Sequence, residues 1–314
     1  MENFFILGFQ RSGTTMLRLM LDAHPDISVP HETAFIPEIA RLPFAQGALE
    51  REDAETIVEL IRNYPFVRKG NLLTERGIAA ARQATTLPQL IAALFEGHAE
   101  SRGSRIWGDK SPNQTFEIAR LARLFPRARF IHLVRDGRAC MLSHKRVDWG
   151  TRSPGALSVA WATASLIAEE VGSALGSRFL SLRYEQLIRH PRDELERVAE
   201  FLGVPFDPLM LDFHSRAAKE VPSGSMQYHT SAMSPPDPSK SERWLRELSP
   251  AEISLFEEYG AIALHRLGYP ILNPPLGLSG RFDKLRLLIK HRGTPAWLRP
   301  PPYNLPLPDT RPHA

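Results

Sequence analysis

The sequence contains very little cysteine, because Cys140 is the single one among 314 residues. One thiol excludes an intramolecular disulfide and any metal site built from several cysteines. Long apolar runs are also missing. No stretch of about 18 uninterrupted apolar residues occurs, and the run Phe4–Phe9 is too short for a membrane span or a signal peptide. We therefore expect a soluble, cytoplasmic protein that depends on neither disulfides nor multi-cysteine metal sites.

The positive charge is not concentrated in blocks, although the chain carries 39 Lys and Arg residues against 35 Asp and Glu residues. The net charge of +4 and an isoelectric point near 9.3 favour an anionic ligand. Proteins that bind nucleic acids group their cations and interleave them with aromatic residues, and this sequence does not. We expect a small anionic ligand and no nucleic acid partner.

The first motif, GFQRSGTT at Gly8–Thr15, has the spacing of a phosphate-binding loop but lacks the lysine of that loop. Thr14 stands in its place, so the group that neutralises a transferred phosphoryl is missing. Gly8 and Gly13 allow a tight turn whose N–H groups, with the N-terminus of the following helix, can bind an anion. Arg11 is the remaining cation of the loop and can bind an oxyanion through two hydrogen bonds. The loop predicts a ligand with a terminal anion on a single 5′-phosphate, bound without metal.

A second anion site is predicted from FIHLVRDGRACMLSHKR, at 130–146. Arg135 directly follows an apolar strand, and Ser143 lies two helical turns later. Ligands of open α/β sheets bind at the carboxyl ends of strands, which is where Arg135 lies. By itself, an Arg-Asp pair after a strand is more often a structural ion pair. Together with the loop, it suggests a nucleotide with two separated phosphates.

The order of apolar strands and amphipathic helices predicts an α/β fold. Strands are expected at Asn3–Gly8, 27–30, Arg129–Val134 and Ser177–Tyr184. Helices are expected at 14–23, 51–63, 88–101, 114–124, 137–146, 155–174, 191–202 and 249–266. This alternation implies a P-loop-type parallel sheet flanked by helices on both faces.

The C-terminal part of the chain has a different composition. We expect one domain at 1–272, followed by a Pro-rich basic extension at 273–314 whose composition cannot continue helices or central strands. Within it, Arg281–Arg292 combines apolar and basic residues at helical spacing. Contact with an anionic membrane surface is one interpretation. Docking onto the protein body or onto a second subunit, which would make a homodimer, is favoured over it, because most amphipathic helices pack on protein.

These motifs resemble those of the sulfotransferases that use 3′-phosphoadenosine 5′-phosphosulfate (PAPS). QRSGTT is similar to the 5′-phosphosulfate loop of the family, P-[KR]-S-G-T-T, with Gln10 where proline is usual, and VRDGRACMLS is similar to its 3′-phosphate motif. RSGTTMLRLMLDAHPDISVPHET resembles the tyrosylprotein sulfotransferase branch, with its loop, helix and Glu-Thr pair at the same spacing. The resemblance covers most of residues 3–270, is poor at 220–240 and is absent from the extension. Its further segments are WGDKSP, RLFPRARFIHLVRDGRA, YEQLIRHPRDELERVAEFLGV and ALHRLGYP.

The resemblance implies a sulfotransferase fold and an enzyme that transfers the sulfuryl group of PAPS to a hydroxyl of a small molecule, glycan, lipid or peptide. The nucleotide product would be 3′-phosphoadenosine 5′-phosphate (PAP), and no metal would be required. Arg135 and Ser143 would hold the 3′-phosphate, with Tyr184 near the nucleotide. The 5′-phosphosulfate would be held by the loop residues Arg11, Ser12, Gly13, Thr14 and Thr15.

The resemblance also assigns three catalytic residues. Glu32 matches the general base of the tyrosylprotein branch, while Lys110 and Arg11 would stabilise charge on the leaving phosphate. Alternatively, Glu32 is the N-terminal cap partner of the next helix, and Lys110 only pairs with Asp109. His31 is a rival base, because histidine titrates near neutral pH and other branches of the family use one.

Two other functions stay open at this point. A P-loop nucleotide kinase-like phosphotransferase would need ATP and Mg²⁺, and Thr14 argues against it. A non-catalytic nucleotide-binding module would bind the donor without turnover, and the presence of both Glu32 and Lys110 argues against it. The acceptor pocket is expected from 34–100, 145–160 and 220–240, whose side chains do not identify a ligand.

Overall fold

The computed structural model of the chain describes residues 1–215 and 230–290. Within these ranges, the strands are β1 (Glu2–Leu7), β2 (Ile27–Ser28), β3 (Ile106–Lys110), β4 (Arg129–Val134) and β5 (Phe179–Arg183). They form one sheet in the order β2-β3-β1-β4-β5, and every neighbouring pair is parallel. The predicted parallel α/β sheet is confirmed, although β3 was not among the predicted strands.

The predicted helices lie close to helices of the structure, whereas several shorter helices were not predicted. The α-helices described are α1 (Thr14–Asp22), α2 (Ile36–Ile39), α3 (Arg51–Asn63), α4 (Pro65–Lys69), α5 (Glu75–Ala81), α6 (Leu87–Ser101), α7 (Ile118–Leu124), α8 (Gly137–His144), α9 (Pro154–Ala174), α10 (Tyr184–Arg189), α11 (Pro191–Leu202), α12 (Trp244–Glu247), α13 (Pro250–Arg266) and α14 (Leu278–Lys290). None of them has the length and apolar character needed to cross a membrane. The predicted helix at 114–124 is a 3-10 segment, Pro112–Glu117, followed by α7.

Strand β1 shows why both faces of the sheet are covered. Its residues Phe4, Phe5, Ile6 and Leu7 have no exposed surface, and successive side chains point to opposite faces. Phe5 and Leu7 belong to the core under α3, α5, α6 and α7, whereas Phe4 and Ile6 belong to the core under α1, α10 and α11. Burial of each such side chain contributes about 1.5–3 kcal/mol. A continuous apolar strand therefore requires a helical layer on each side.

The strand order places a crevice at the carboxyl ends of β1 and β4. After β1 the chain builds one half of the sheet with β2 and β3, and it then crosses to β4 and β5 on the other side. Such a reversal of strand order is where open parallel sheets bind ligands. The loop after β1 and the turn after β4 face each other there, because Leu7 pairs with His132 in the register of the two strands.

The extension contains a helix where the apolar and basic residues of Arg281–Arg292 have helical spacing, although the Pro-rich composition of 273–314 argued against helices. Helix α14 packs on α13 through Lys284, whose Nζ lies 2.6 Å from Glu258 Oε2 and 3.1 Å from Ser254 Oγ. No proline lies within α14, so the Pro-rich composition of the whole extension does not apply to this segment. The rest of the predicted extension, 291–314, lies outside the described residues. The domain boundary at 272 stays a prediction.

Candidate active site

A cavity of about 650 Å³ opens at the crevice between β1 and β4. Its wall includes most of the predicted site residues: Arg11, Gly13, Thr14, Thr15, Glu32, Arg135, Ser143 and Tyr184. The other two, Ser12 and Lys110, are buried next to residues of the wall. The structure therefore brings residues from five separate parts of the chain to one site.

The loop after β1 is fixed by hydrogen bonds and by two left-handed residues. Gly8 N–H donates to Thr115 Oγ1 at 2.8 Å, and the same hydroxyl donates to Gly8 O at 3.0 Å. Arg11 has φ 67° and Gly13 has φ 99°. A Cβ on Gly13 would lie 2.5 Å from Cδ2 of Tyr184, so only glycine fits between the loop and this ring. The loop conformation thus depends on Gly13.

The two predicted phosphate sites are joined by direct contacts. Arg11 Nε donates to Ser143 Oγ at 3.0 Å, and Arg135 Nη1 donates to Arg11 O at 2.9 Å. The Arg135 guanidinium lies over the Tyr184 ring, 4.2 Å from its centroid. The Arg11 side chain is therefore directed to α8 and connects the loop with the predicted 3′-phosphate residues.

The donor set fits a bound anion. Among the described residues, the buried atoms Ser12 Oγ and Arg135 Nε have no hydrogen-bond partner. Buried polar atoms normally have one, so each of these two is available to a ligand. Burial, and secondly the charge of Arg135, lower the pKa of the Arg11 guanidinium. An anion in the cavity would relieve both effects.

Glu32 and Lys110 form an ion pair at the cavity wall, with 2.7 Å between Lys110 Nζ and Glu32 Oε2. The Lys110 side chain is buried, whereas 30% of the Glu32 side chain is exposed. The alternative that Lys110 pairs with Asp109 is wrong, because Asp109 bonds to Thr33 and Gln114 instead. The alternative that Glu32 caps the next helix is also wrong, since α2 begins at Ile36 with Phe35 at its N-cap.

Three consecutive residues at the end of β3 hold the segment that carries Glu32. Asp109 Oδ1 accepts from Thr33 Oγ1 at 3.0 Å, and Lys110 binds Glu32. Ser111 Oγ accepts from the N–H of Ala34 at 2.9 Å and from that of Thr33 at 3.3 Å. Ala34 has φ 58°, an unfavourable conformation for alanine that these bonds stabilise. The end of β3 thereby fixes the position of Glu32.

The first prediction concerns Asp109, because burial raises the pKa of this carboxyl from 3.8 to about 6. A pKa raised by folding means that the folded state binds the proton more tightly. Protonated Asp109 therefore stabilises the folded state. This contribution is fully present below pH 3.8 and is lost as the pH rises through about 6. We expect the free energy of unfolding to fall by on the order of 3 kcal/mol over this window relative to Asp109→Asn. Urea unfolding of both proteins between pH 4 and pH 7 measures this difference; parallel pH profiles would contradict it.

His31 is poorly suited to be the base. Burial, followed by the charges of Arg18, Lys110 and His98, lowers the pKa of its imidazole to about 4, which removes the near-neutral titration that made His31 a rival base. His31 is not part of the cavity wall, and its Cβ lies against Gly70. Its geometry gives no support to the rival assignment.

Several residues of the cavity wall carried no sequence signal. They come from the regions expected to form the acceptor pocket, and they are Phe66, Lys69, Arg146, Trp149, Ala232 and Lys240. Lys69, Arg146 and Trp149 are exposed to solvent. Residues 220–229 of the predicted region at 220–240 lie outside the described residues. The cavity wall therefore includes exposed basic and aromatic side chains, and Arg146 among them is paired with Glu247.

Two other reactive residue types have structural roles. Burial raises the pKa of the Cys140 thiol to about 12, so it is not a nucleophile at neutral pH. His132 is buried in β4, and its Nδ1 lies 2.8 Å from Glu169 Oε1, as expected of a core histidine with a partner.

Within 1–215 and 230–290, no group of three or more His, Cys, Asp and Glu side chains could hold a metal ion.

Comparison with known proteins gives one family. Residues 3–208 match the family model described as Sulfotransferase family. Protein-tyrosine sulfotransferase A of Caenorhabditis elegans is 28% identical over 279 residues, which cover 86% of this chain and 68% of that protein. Protein-tyrosine sulfotransferase 2 of Gallus gallus is 28% identical over 292 residues, which cover 88% of this chain and 71% of that protein.

Solved structures show the same fold. The sulfotransferase domain from the Synechococcus PCC 7002 olefin synthase has a TM-score of 0.63 at 24% identity, covering 86% of this chain and 96% of that domain. The sulfotransferase domain from the curacin biosynthetic pathway has a TM-score of 0.61 at 23% identity, covering 87% of this chain and 99% of that domain. At these identities the likeness concerns the fold alone.

Proposed function

Because this chain belongs to the sulfotransferase family, we propose that its cavity sulfates the phenolic hydroxyl of tyrosine in peptides, with Glu32 as general base. The chain is a PAPS-dependent sulfotransferase that acts on a hydroxyl. The observation that carries the base assignment is the Glu32–Lys110 ion pair at the wall of the cavity that also contains Arg11 and Arg135. This finding favours an enzyme over a binding module, since binding alone requires no such pair.

The donor PAPS would be held by the two joined phosphate sites. Ser12 and the N–H groups at the start of α1 would bind the 5′-phosphosulfate, together with the Arg11 guanidinium. Arg135, through its unpartnered Nε, and Ser143 would bind the 3′-phosphate. When bound, PAPS supplies the sulfuryl group. The positive charge that the reaction needs comes from Arg11, Arg135 and Lys110, so we propose transfer without a metal ion.

Glu32 would take the proton of the acceptor hydroxyl. Lys110 Nζ binds Oε2 of Glu32, and Glu32 is part of the cavity wall, so its carboxylate lies beside the space that an acceptor would enter. Deprotonation of the hydroxyl oxygen makes it a better nucleophile toward sulfur, and a positioned base contributes typically 10²–10⁴-fold in rate. Lys110 also provides a positive charge near the oxygens that become more negative during transfer.

A tyrosine peptide is supported as acceptor by two observations. The two relatives described above are named for protein-tyrosine sulfation. Three residues of the cavity wall, Trp149, Lys69 and Arg146, are exposed to solvent, whereas a small apolar acceptor would favour a closed apolar pocket. A cavity with exposed wall residues that include Lys69 suits a longer chain that carries acidic residues.

An acceptor comparison tests this proposal. The purified protein receives labelled PAPS and, in parallel, tyrosine peptides, matched peptides with phenylalanine for tyrosine, simple phenols and glycans, all with EDTA. Mass spectrometry should show sulfuryl addition to the tyrosine peptides and not to their phenylalanine counterparts. Sulfation of the phenols or glycans alone would refute the peptide acceptor. Turnover that requires added Mg²⁺ would refute metal-free transfer.

The second prediction concerns Arg135. Arg135→Ala removes the group assigned to the 3′-phosphate, so PAP affinity should fall by about 2 kcal/mol, roughly 30-fold. Adenosine 5′-phosphosulfate, which lacks that phosphate, should lose much less. Isothermal titration calorimetry with both ligands measures the difference. Arg183→Ala is a matched control, because Arg183 also lies over a tyrosine ring, Tyr269 at 4.6 Å, but not in the cavity wall. Equal losses for the two ligands would make Arg135 a structural residue.

A further inference from the structure

Helix α14 packs on the protein body with only one of its faces. The half-buried residues Gly280, Lys284 and Leu287 share this face, at spacings of four and three residues. The contacts of Lys284 with Glu258 and Ser254 attach the helix to α13. Docking of α14 onto the body therefore uses a face that contains a single large apolar residue.

The opposite face carries an apolar stripe, defined as Leu278, Phe282, Leu285 and Ile289. These residues follow each other at spacings of four, three and four, so they lie along one line of the helix. Their exposed fractions are 79%, 71%, 51% and 53%. Single exposed apolar residues are normal on a protein surface. A continuous row of large ones marks a surface that contacts a membrane or another protein.

Basic residues border the apolar stripe on both sides. At 100° per residue, Arg281 and Arg286 lie roughly 70° to either side of its centre, and both are exposed. Asp283 is the one acidic residue of the helix and lies farther from the stripe. Large apolar residues with a cation on each side are the pattern of helices that lie in the interface of an anionic membrane. The long arginine side chains can reach the headgroups while the stripe enters the acyl boundary.

We propose that α14 lies on the surface of a membrane that contains anionic lipids, with the apolar stripe inserted. A second copy of the chain fits this surface less well. In a symmetric dimer the same patch of both copies is in contact, so Arg281 and Arg286 of one copy would lie near those of the other. Each helix has a single acidic residue, Asp283, to offset this repulsion. An anionic membrane satisfies the stripe and its cations together. This surface is separate from the cavity, so the inference does not depend on the identity of the acceptor.

Flotation of the full-length protein with vesicles tests the proposal. We expect the protein to float with vesicles of phosphatidylcholine and phosphatidylserine, and to float far less with phosphatidylcholine alone or at high salt. Phe282→Ser with Leu285→Ser should reduce binding about tenfold or more, because this variant removes inserted apolar surface. The variant should keep the thermal midpoint, since both side chains are exposed.

The matched control is Ile262→Ser, because Ile262 is 72% exposed but lies on α13, outside the apolar stripe. This variant should float like the unmodified protein. Equal flotation of the unmodified protein and the Phe282→Ser, Leu285→Ser variant would overturn the proposal, as would failure of the unmodified protein to float. Sedimentation without vesicles tests whether a second copy covers the stripe instead. If the unmodified protein does not float but sediments as a dimer, and the double substitution dissociates that dimer, the stripe is a dimer contact.

Discussion

Glu32→Gln is expected to lower turnover by roughly 10²–10⁴-fold while PAP affinity stays nearly unchanged. Glutamine keeps the size of the side chain, and its carbonyl oxygen can still accept the bond from Lys110, but it cannot take a proton. Glu32 bonds to Lys110 and not to Arg135 or Ser143, so its change leaves the contacts of these two residues in place. Single-turnover rates at saturating donor, together with PAP titration, separate the two quantities.

The control for this prediction is His31→Asn, which should change turnover little because the imidazole does not line the cavity. Lys110→Ala should reduce turnover and also weaken donor binding somewhat, because Lys110 acts on the leaving phosphate. Both Glu32 and Lys110 variants need a thermal midpoint measured alongside, since removal of one charge from a buried pair destabilises the fold. A collapse with His31→Asn and a mild effect with Glu32→Gln would move the base to His31.

The sheet shows which strands could be predicted and why one could not. Strands β1 and β4 are continuous apolar runs, and they were predicted almost to the residue. Strand β3 reads Ile-Trp-Gly-Asp-Lys, which looks unlike a central strand. Gly108 is required there because a Cβ would lie 2.4 Å from the Phe4 ring, and this contact is not visible in the sequence. Asp109 and Lys110 are tolerated because Thr33, Gln114 and Glu32 bind them.

The site was predictable in its chemistry but not in its contacts. The glycine loop and Arg135 follow from local spacing, since each lies directly after an apolar strand. Glu32 and Lys110 were identified only through family resemblance, and their pairing joins residues 78 positions apart. That pairing exists because β2 and β3 are neighbours in the sheet. Neighbouring strands that are distant in sequence leave no local pattern. Phe66 and Lys69 lie on α4, within the region 34–100 expected to form the acceptor pocket, but no motif marks them individually.

Helix α14 illustrates the limit of arguments from average composition. The extension is Pro-rich as a whole, and this average predicted no helix, whereas the helical spacing of its apolar and basic residues did indicate one. Pro274 and Pro275 precede α14, and the helix itself contains none. Local periodicity was therefore the better guide, because a proline affects the backbone only in its own turn and the one before.

Gly13→Ala is expected to destabilise the fold and to lower PAP affinity about tenfold or more. Alanine at φ 99° costs about 1–2 kcal/mol, and a Cβ at 2.5 Å from the Tyr184 ring adds about 1–3 kcal/mol of overpacking. Displacement of the ring would also move Arg135, whose guanidinium lies on it, and would change the loop that binds the 5′-phosphate. Urea unfolding and PAP titration measure the two effects.

Two controls separate backbone strain from the contact with the ring. Gly47→Ala carries nearly the same strain, because Gly47 has φ 103°, but a Cβ there meets no atom within 4 Å. It should cost about 1–2 kcal/mol in stability and leave PAP affinity unchanged. Gly13→Ala should cost less in a Tyr184→Leu background, since the smaller side chain makes room for the new methyl group. An equal cost in both backgrounds would show that Gly13 is needed for its backbone conformation alone. The fit of the loop against Tyr184 would then not explain how the donor site is shaped.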